Sequence, residues 1–90
     1  MVSAVKVRLA PLLHSYTAGA AAVSAEGTNL GALLNDLDRQ FPGIRFRIVD
    51  EQYRLRRHMR CFVNSADIRD LAAPLQAGDE VFIVGALSGG

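Results

Sequence analysis

Ninety residues, with 10 Lys and Arg against 9 Asp and Glu, a net charge of +1 and half of the side chains hydrophobic, describe one folded domain with no room for a second. So small a chain buries only about two thirds of its extended surface, which argues against a deep, self-contained active site. The charge balance excludes bulk attraction to nucleic acid or membrane, and one cysteine excludes an internal disulfide and a cysteine metal cluster.

The start, Met1-Val2-Ser3-Ala4-Val5-Lys6, lacks the apolar region of a signal peptide, and no apolar stretch reaches membrane-spanning length. A cytoplasmic protein is expected. Val5, Val7 and Leu9 alternate with Lys6 and Arg8, the period-two pattern of a strand with one buried face. Pro11 closes that strand, having no N–H for a ladder. A loop then leads to a turn at Ala18-Gly19, and Ala21, Val23 and Ala25 alternate again as far as Glu26. The two segments read as a hairpin whose second strand is weakly specified, because alanine is a poor strand former. Gly27 breaks the chain, and the hydroxyl of Thr28 suits a helix cap. Leu30, Leu33, Leu34, Leu37 and Phe41 then form one apolar stripe at helical spacing. The spacing predicts a helix over about 28–41, ended by Pro42-Gly43.

Ile44 to Arg57 is rich in charge with isolated apolar residues, and reads as a short helical turn mixed with irregular loop. Met59 to Val63 is a strand, Asn64-Ser65-Ala66-Asp67 a turn, and Ile68-Arg69 the start of a short strand. Leu71 to Gln76 is a connection and Ala77-Gly78-Asp79 a second turn. Glu80 to Val84 is the last strand, and its four consecutive apolar residues predict burial on both faces and a central place in the sheet. This order belongs to the α+β class. It predicts a β-grasp: a mixed sheet of four or five strands, crossed on one face by one main helix. The single domain spans 1–90, with 85–90 as a flexible C-terminal tail.

That tail, Ser88-Gly89-Gly90, has no packing rationale. Glycine contributes no apolar area and loses the most entropy on ordering. A side-chain-free end suits a protein whose reactive group is its own α-carboxylate, threaded into a partner's narrow channel.

Leu75 to Val84, with Gly78-Asp79-Glu80-Val81 at its centre and Ala86-Leu87-Ser88-Gly89-Gly90 beyond, resembles the C-terminal signature of the ubiquitin-like sulfur carriers, the ThiS/MoaD family. Phe62-Val63-Asn64 with Asp67-Ile68-Arg69, and Pro11-Leu12-Leu13 with Thr17-Ala18-Gly19, are similar to the family as well. The long stretch from Pro42 to Arg57 is most similar to carriers that feed cysteine synthesis or secondary-metabolite pathways. Many members have proline where this chain has Gly85, a departure that loosens the tail's exit.

The resemblance implies a carrier and cosubstrate, not an enzyme. An E1-like adenylating enzyme would use ATP and Mg²⁺ to convert the Gly90 carboxylate to an acyl-adenylate. A sulfur donor protein would then displace AMP to leave a thiocarboxylate, and an acceptor biosynthetic enzyme would consume the sulfur. The pathway implied is cysteine or a thio-metabolite ahead of molybdopterin or thiamin. Gly90 would carry the group and Gly89 give access to the channel. The chain itself would bind no cofactor and no metal, and would be a monomer when free.

Arg54, Arg56, Arg57, His58 and Arg60 are the densest basic cluster. Asp50 and Glu51 adjoin it, so a solvated or partner-facing surface is expected in place of nucleic-acid binding, which needs many simultaneous phosphate contacts. Arg54, Arg56, Arg57, Arg60 and Ser88 are therefore the candidate partner-binding residues. Cys61 could accept or relay sulfur, but a cysteine in a strand pattern reads more often as a small buried hydrophobe. His14 and His58 have no partners at metal-ligand spacing. Two alternatives stay open: a ubiquitin-like modifier conjugated to lysines through Gly90, and an interaction module with an inert tail.

Overall fold

In the computed structural model, which describes residues 4–85, the first alternating segment is β1 (Ala4–Leu9), with Val5, Val7 and Leu9 buried and the residues between them exposed. It pairs antiparallel with β2 (Ala22–Glu26), Val7 lying opposite Val23 and Val5 opposite Ala25. The intervening stretch is not a loop. Pro11–Thr17 winds into a 3-10 helix that ends at Ala18 in the left-handed region, φ 55°. Proline suits its first position, because its φ is already set and no N–H is lost. Thr17 is buried, and its hydroxyl donates to the carbonyls of His14 and Ala20 at 3.3 and 2.8 Å.

Helix α1 covers Leu30–Gln40 and is capped by Asn29, whose Oδ1 accepts the Ala32 N–H at 2.7 Å. Thr28, the expected cap, instead accepts the Leu75 N–H on its carbonyl. A helix leaves its first N–H groups without intrahelical partners. Here the carbonyls of Ala73 and Leu71 accept from Leu30 and Gly31 at 3.0 and 2.8 Å. The 71–76 connection is thus an external cap, and it holds the helix start in place. The apolar stripe lies over the sheet: Leu30, Leu33, Leu34 and Leu37 are buried with Val5, Val7, Met59, Cys61, Val81 and Ile83.

The five strands are ordered β2-β1-β5-β3-β4, completed by β3 (Met59–Val63), β4 (Ala66–Ile68) and β5 (Glu80–Gly85). β5 is central as expected, parallel to β1 and antiparallel to β3. Its apolar run is not buried on both faces, however. Val81 and Ile83 lie wholly in the core, whereas Phe82 and Val84 are half-buried on the other face. One main helix covers only one side of a sheet, so the second side stays open.

The β3–β4 turn consists of Asn64 and Ser65, both at positive φ (49° and 80°), as a two-residue hairpin loop requires. Ala66 and Asp67, expected in that turn, already pair with Val63 and Phe62. Asn64 also joins this hairpin to the turn before β5. Its Nδ2 donates to Asp79 Oδ1 at 2.9 Å, its Oδ1 accepts the Glu80 N–H at 3.0 Å, and Asp79 Oδ2 accepts the Gln76 N–H at 2.8 Å. Gly78 stands at φ +91° with open space around it, so backbone conformation and not packing selects glycine there.

Between α1 and β3, Gly43 at φ 98° starts the short helix α2 (Ile44–Ile48), which buries Ile44 and Ile48. A Val49–Leu55 bridge folds the following residues into a tight excursion. Asp50 Oδ1 accepts the Gln52 and Arg54 N–H groups. Tyr53 fastens the excursion to α1, its hydroxyl within hydrogen-bond reach of the Gly31 carbonyl and Asn35 Oδ1, at 3.4 and 3.3 Å.

The Gln76 N–H and the Asn64 amide hold the Asp79 carboxyl below the usual carboxylate range. A depressed folded-state value stabilises the fold above the ordinary pKa of about 4, and that contribution is lost as pH falls through the depressed value. Asp79→Asn is therefore expected to lower stability at neutral pH and to flatten its decline under acid. Urea midpoints measured at neutral pH and near pH 3 check this; an equal loss at both would contradict it.

Candidate functional site

Ser88, Gly89 and Gly90 lie outside the described residues, but their base does not. β5 occupies the middle of the sheet, and its last paired residue is Gly85, opposite Met59. The sequence places Gly85 in the tail; pairing makes it the end of the strand. A Cβ at Gly85 would collide with the Leu12 δ-methyl and come within 3.3 Å of Met59 Sδ. Glycine here admits the 3-10 helix against the strand end, and does not loosen the exit. The Ala10 N–H donates to the Ile83 carbonyl at 3.0 Å, tying the two segments further. The chain leaves the sheet at a point braced on two sides.

The uncovered sheet face runs along β5 from this exit back to the start of the strand. Phe82 stands in register between Arg8 on β1 and Phe62 on β3. The Arg8 guanidinium sits over the Phe82 ring, 5.1 Å from its centre. With Ser65 and Glu80 these side chains line a shallow depression of about 330 Å³. Two further cations at its margins are paired, Lys6 with Glu80 at 3.9 Å and Arg60 with Asp67 at 2.8 Å, while Arg8 keeps to the ring. Aromatic and aliphatic surface with compensated charge is what a protein interface presents at its centre.

The basic cluster, read from sequence as one unit, is divided by the fold. Successive strand residues face opposite ways, so Arg60 lies on the open sheet face while Met59 and Cys61 are buried. Arg54, Arg57 and His58 line a wider depression at the edge, with Asp50 and Asp70 among its walls. Arg56 donates its Nε to the Phe46 carbonyl at 2.8 Å and stacks on the Phe46 ring at 4.7 Å. Arg69, which nothing in the sequence singled out for this role, organises the excursion. Its guanidinium donates to the carbonyls of Met59, Leu55 and Arg56 at 3.1, 3.1 and 3.2 Å.

Cys61 is fully buried, and burial pushes its thiol up to about 12, against the weaker pull of Arg69. The thiolate is the nucleophilic form, so the native fold keeps Cys61 as a protonated, enclosed thiol. His14 Nε2 lies 2.9 Å from the Leu9 carbonyl and serves the fold. Among the described residues no three His, Cys, Asp or Glu side chains gather as a metal site, and no helix is long and apolar enough to cross a membrane.

The ThiS family model matches residues 11–90. The chain is 36% identical over 91 residues to the sulfur carrier protein CysO of Mycobacterium tuberculosis, covering 96% of this chain and 98% of that protein. Among solved structures, a chain of the Amycolatopsis orientalis BexX/CysO complex superposes with a TM-score of 0.89 at 31% identity, covering 96% of this chain and 99% of that one. The small archaeal modifier protein 1 of Methanosarcina acetivorans superposes with a TM-score of 0.82 at 26% identity, covering 100% and 99%.

Two outcomes are expected from this geometry. Cys61 should resist a thiol reagent such as iodoacetamide in the native chain and react once the chain is unfolded in guanidinium; rapid native labelling would contradict its burial. Arg69→Met should loosen residues 50–58, seen by hydrogen exchange as faster loss of protection at the Asp50 and Arg56 amides, with a cost to global stability of about 1 kcal/mol.

Proposed function

The chain belongs to the ThiS family, and from that premise we propose that it is a sulfur carrier whose Gly90 carboxylate is adenylated and converted to a thiocarboxylate. The observation that carries this reading is likeness to a sulfur carrier along almost the whole of both chains. The residues account for the division of labour. A carboxylate is a poor electrophile, because its charge repels nucleophiles and oxide is a poor leaving group. Adenylation makes AMP the leaving group; a hydrosulfide equivalent from the sulfur donor protein then bonds to the acyl carbon, and AMP departs with the electron pair.

ATP and Mg²⁺ belong to the E1-like activating enzyme. The chain contributes position. Beyond Gly85 there are five residues, 86–90, which when extended span at most roughly 17 Å. A partner must therefore approach the braced end of β5 closely to receive Gly90. The open face around Phe62, Phe82 and Val84 is suited to that approach, with Arg8 and Arg60 at its border and Ser88 leading into the partner's channel. Arg54, Arg56 and Arg57 lie away from this face and are assigned to a second contact. The protein is a cosubstrate and not a catalyst, acts in the cytoplasm, and feeds an acceptor enzyme of cysteine or thio-metabolite synthesis.

Likeness to an archaeal modifier protein favours a second reading, in which the same activated Gly90 forms an isopeptide bond with lysines of other proteins. Both need adenylation, and mass separates them. Incubation with the activating enzyme, ATP and a sulfur donor is expected to raise the intact mass by the difference between sulfur and oxygen. Lysine-linked adducts on other proteins without that gain would favour the modifier. Deletion of Gly90 is expected to abolish the mass gain and the downstream sulfur incorporation. Sulfur incorporation that survives the deletion would refute carriage.

A further inference from the structure

We propose that a cationic aromatic groove formed by Tyr16, Phe46, Arg47, Arg56 and His58 docks an acidic peptide segment bearing an apolar side chain, on the protein that takes the tail. The groove holds about 340 Å³, room for one or two side chains. Its origin is the brevity of α2. Ile44 and Ile48, four apart, turn one face into the core, so Phe46, two residues from each, points the opposite way. Phe46 is 62% exposed, and the Arg56 guanidinium stacked on its ring at 4.7 Å holds it as a ready surface. Aromatic residues and arginine are the side chains that carry most binding energy at interfaces.

Charge selects the occupant. No carboxylate lines the groove, and among the described residues neither Arg47 nor His58 forms an ion pair. Glu51 forms no ion pair among the described residues, and Asp38 and Asp50 are engaged with backbone N–H groups. Asp38 Oδ1 accepts the Gly43 and Arg45 N–H groups, and Asp50 Oδ1 those of Gln52 and Arg54. On the open sheet face, by contrast, Lys6 and Arg60 already have carboxylate partners. Arg8, on the same face, lies over the Phe82 ring. Positive charge lined by no carboxylate lies at the groove beside an exposed aromatic ring, and complementarity asks for carboxylates beside one apolar group.

Position links the groove to the tail. His58 immediately precedes Met59, which pairs with Gly85. Tyr16 belongs to the same 3-10 helix as Leu12, which packs against Gly85. A protein that draws in residues 86–90 thus meets the groove at the point where the chain leaves the sheet. That assignment of the occupant to a tail-receiving protein rests on the carrier reading; the groove's chemistry does not.

The test titrates the isotopically labelled full chain with the peptide acetyl-Asp-Glu-Leu-Glu-Asp-amide, followed by amide chemical shifts. Saturable shifts at Phe46, Arg47 and His58 are expected, weakened roughly fivefold or more when salt is raised to about 0.5 M, and lost in the double variant Arg47→Glu with His58→Glu. Both substituted side chains are exposed, and the variant's own spectrum reports that it is folded. Absence of saturation, equal binding of the neutral analogue with Asn and Gln, or shifts centred on Arg8, Arg60 and Phe82 would overturn the proposal. Intact mass after adenylation is measured on the same samples. Peptide binding without a mass gain in the parent chain would sink the carrier reading and leave the groove standing; a mass gain without peptide binding would do the reverse.

Discussion

The structure depends on β5 being hydrogen-bonded on both sides at once. Its parallel partner β1 comes from the start of the chain and its antiparallel partner β3 from the middle. Both ladders join segments far apart in the chain. Val81 and Ile83 then reach the floor beneath α1, where the leucine stripe closes over them. Burial of that apolar surface is the principal favourable contribution. The strand that anchors the core is also the one from which the terminal residues extend. The core and the point where the chain leaves the sheet are thereby fixed by the same element, whose last residue is still paired.

A domain of this size has one helical layer, and much of its surface character follows. With α1 committed to one face, Phe62, Phe82 and Val84 remain accessible on the other, framed by ion pairs. α2 is too short to bury more than two residues and turns Phe46 outward. Two surfaces of different chemistry result. One is an apolar sheet face with two ion pairs and Arg8 over Phe82, while the other is aromatic and cationic with no carboxylate in its lining. The first lies along the outer side of β5 from its start, and the second adjoins the end of that strand through His58 and Met59.

The strongly periodic elements were legible in the sequence. β1, α1 and the central position of β5 follow from residue spacing, because burial on one face imposes a period that only a few conformations satisfy. The family signature was legible too, though its meaning was not. Asn64 and Gly78-Asp79-Glu80 mark the family, and in the fold they form a lock between the β3–β4 turn and the start of β5. These bonds position the strand. What stayed hidden were contacts between segments distant in sequence: the 71–73 carbonyls capping α1, Leu12 against Gly85, Arg69 gathering the carbonyls of residues 55–59. No local pattern encodes such pairs.

The sequence by itself determined the β-grasp, the core stripe, the family and the terminal glycines, because periodicity and motif spacing are properties of the chain before it folds. Only the tertiary structure decided which surface is open and how the basic cluster is divided. It also decided that Cys61 is a protonated, enclosed thiol and that Gly85 belongs to the strand. Each of those depends on which segment comes to lie beside another. Burial, a thiol's pKa and the room for a Cβ are set by neighbours, and neighbours are supplied by the fold.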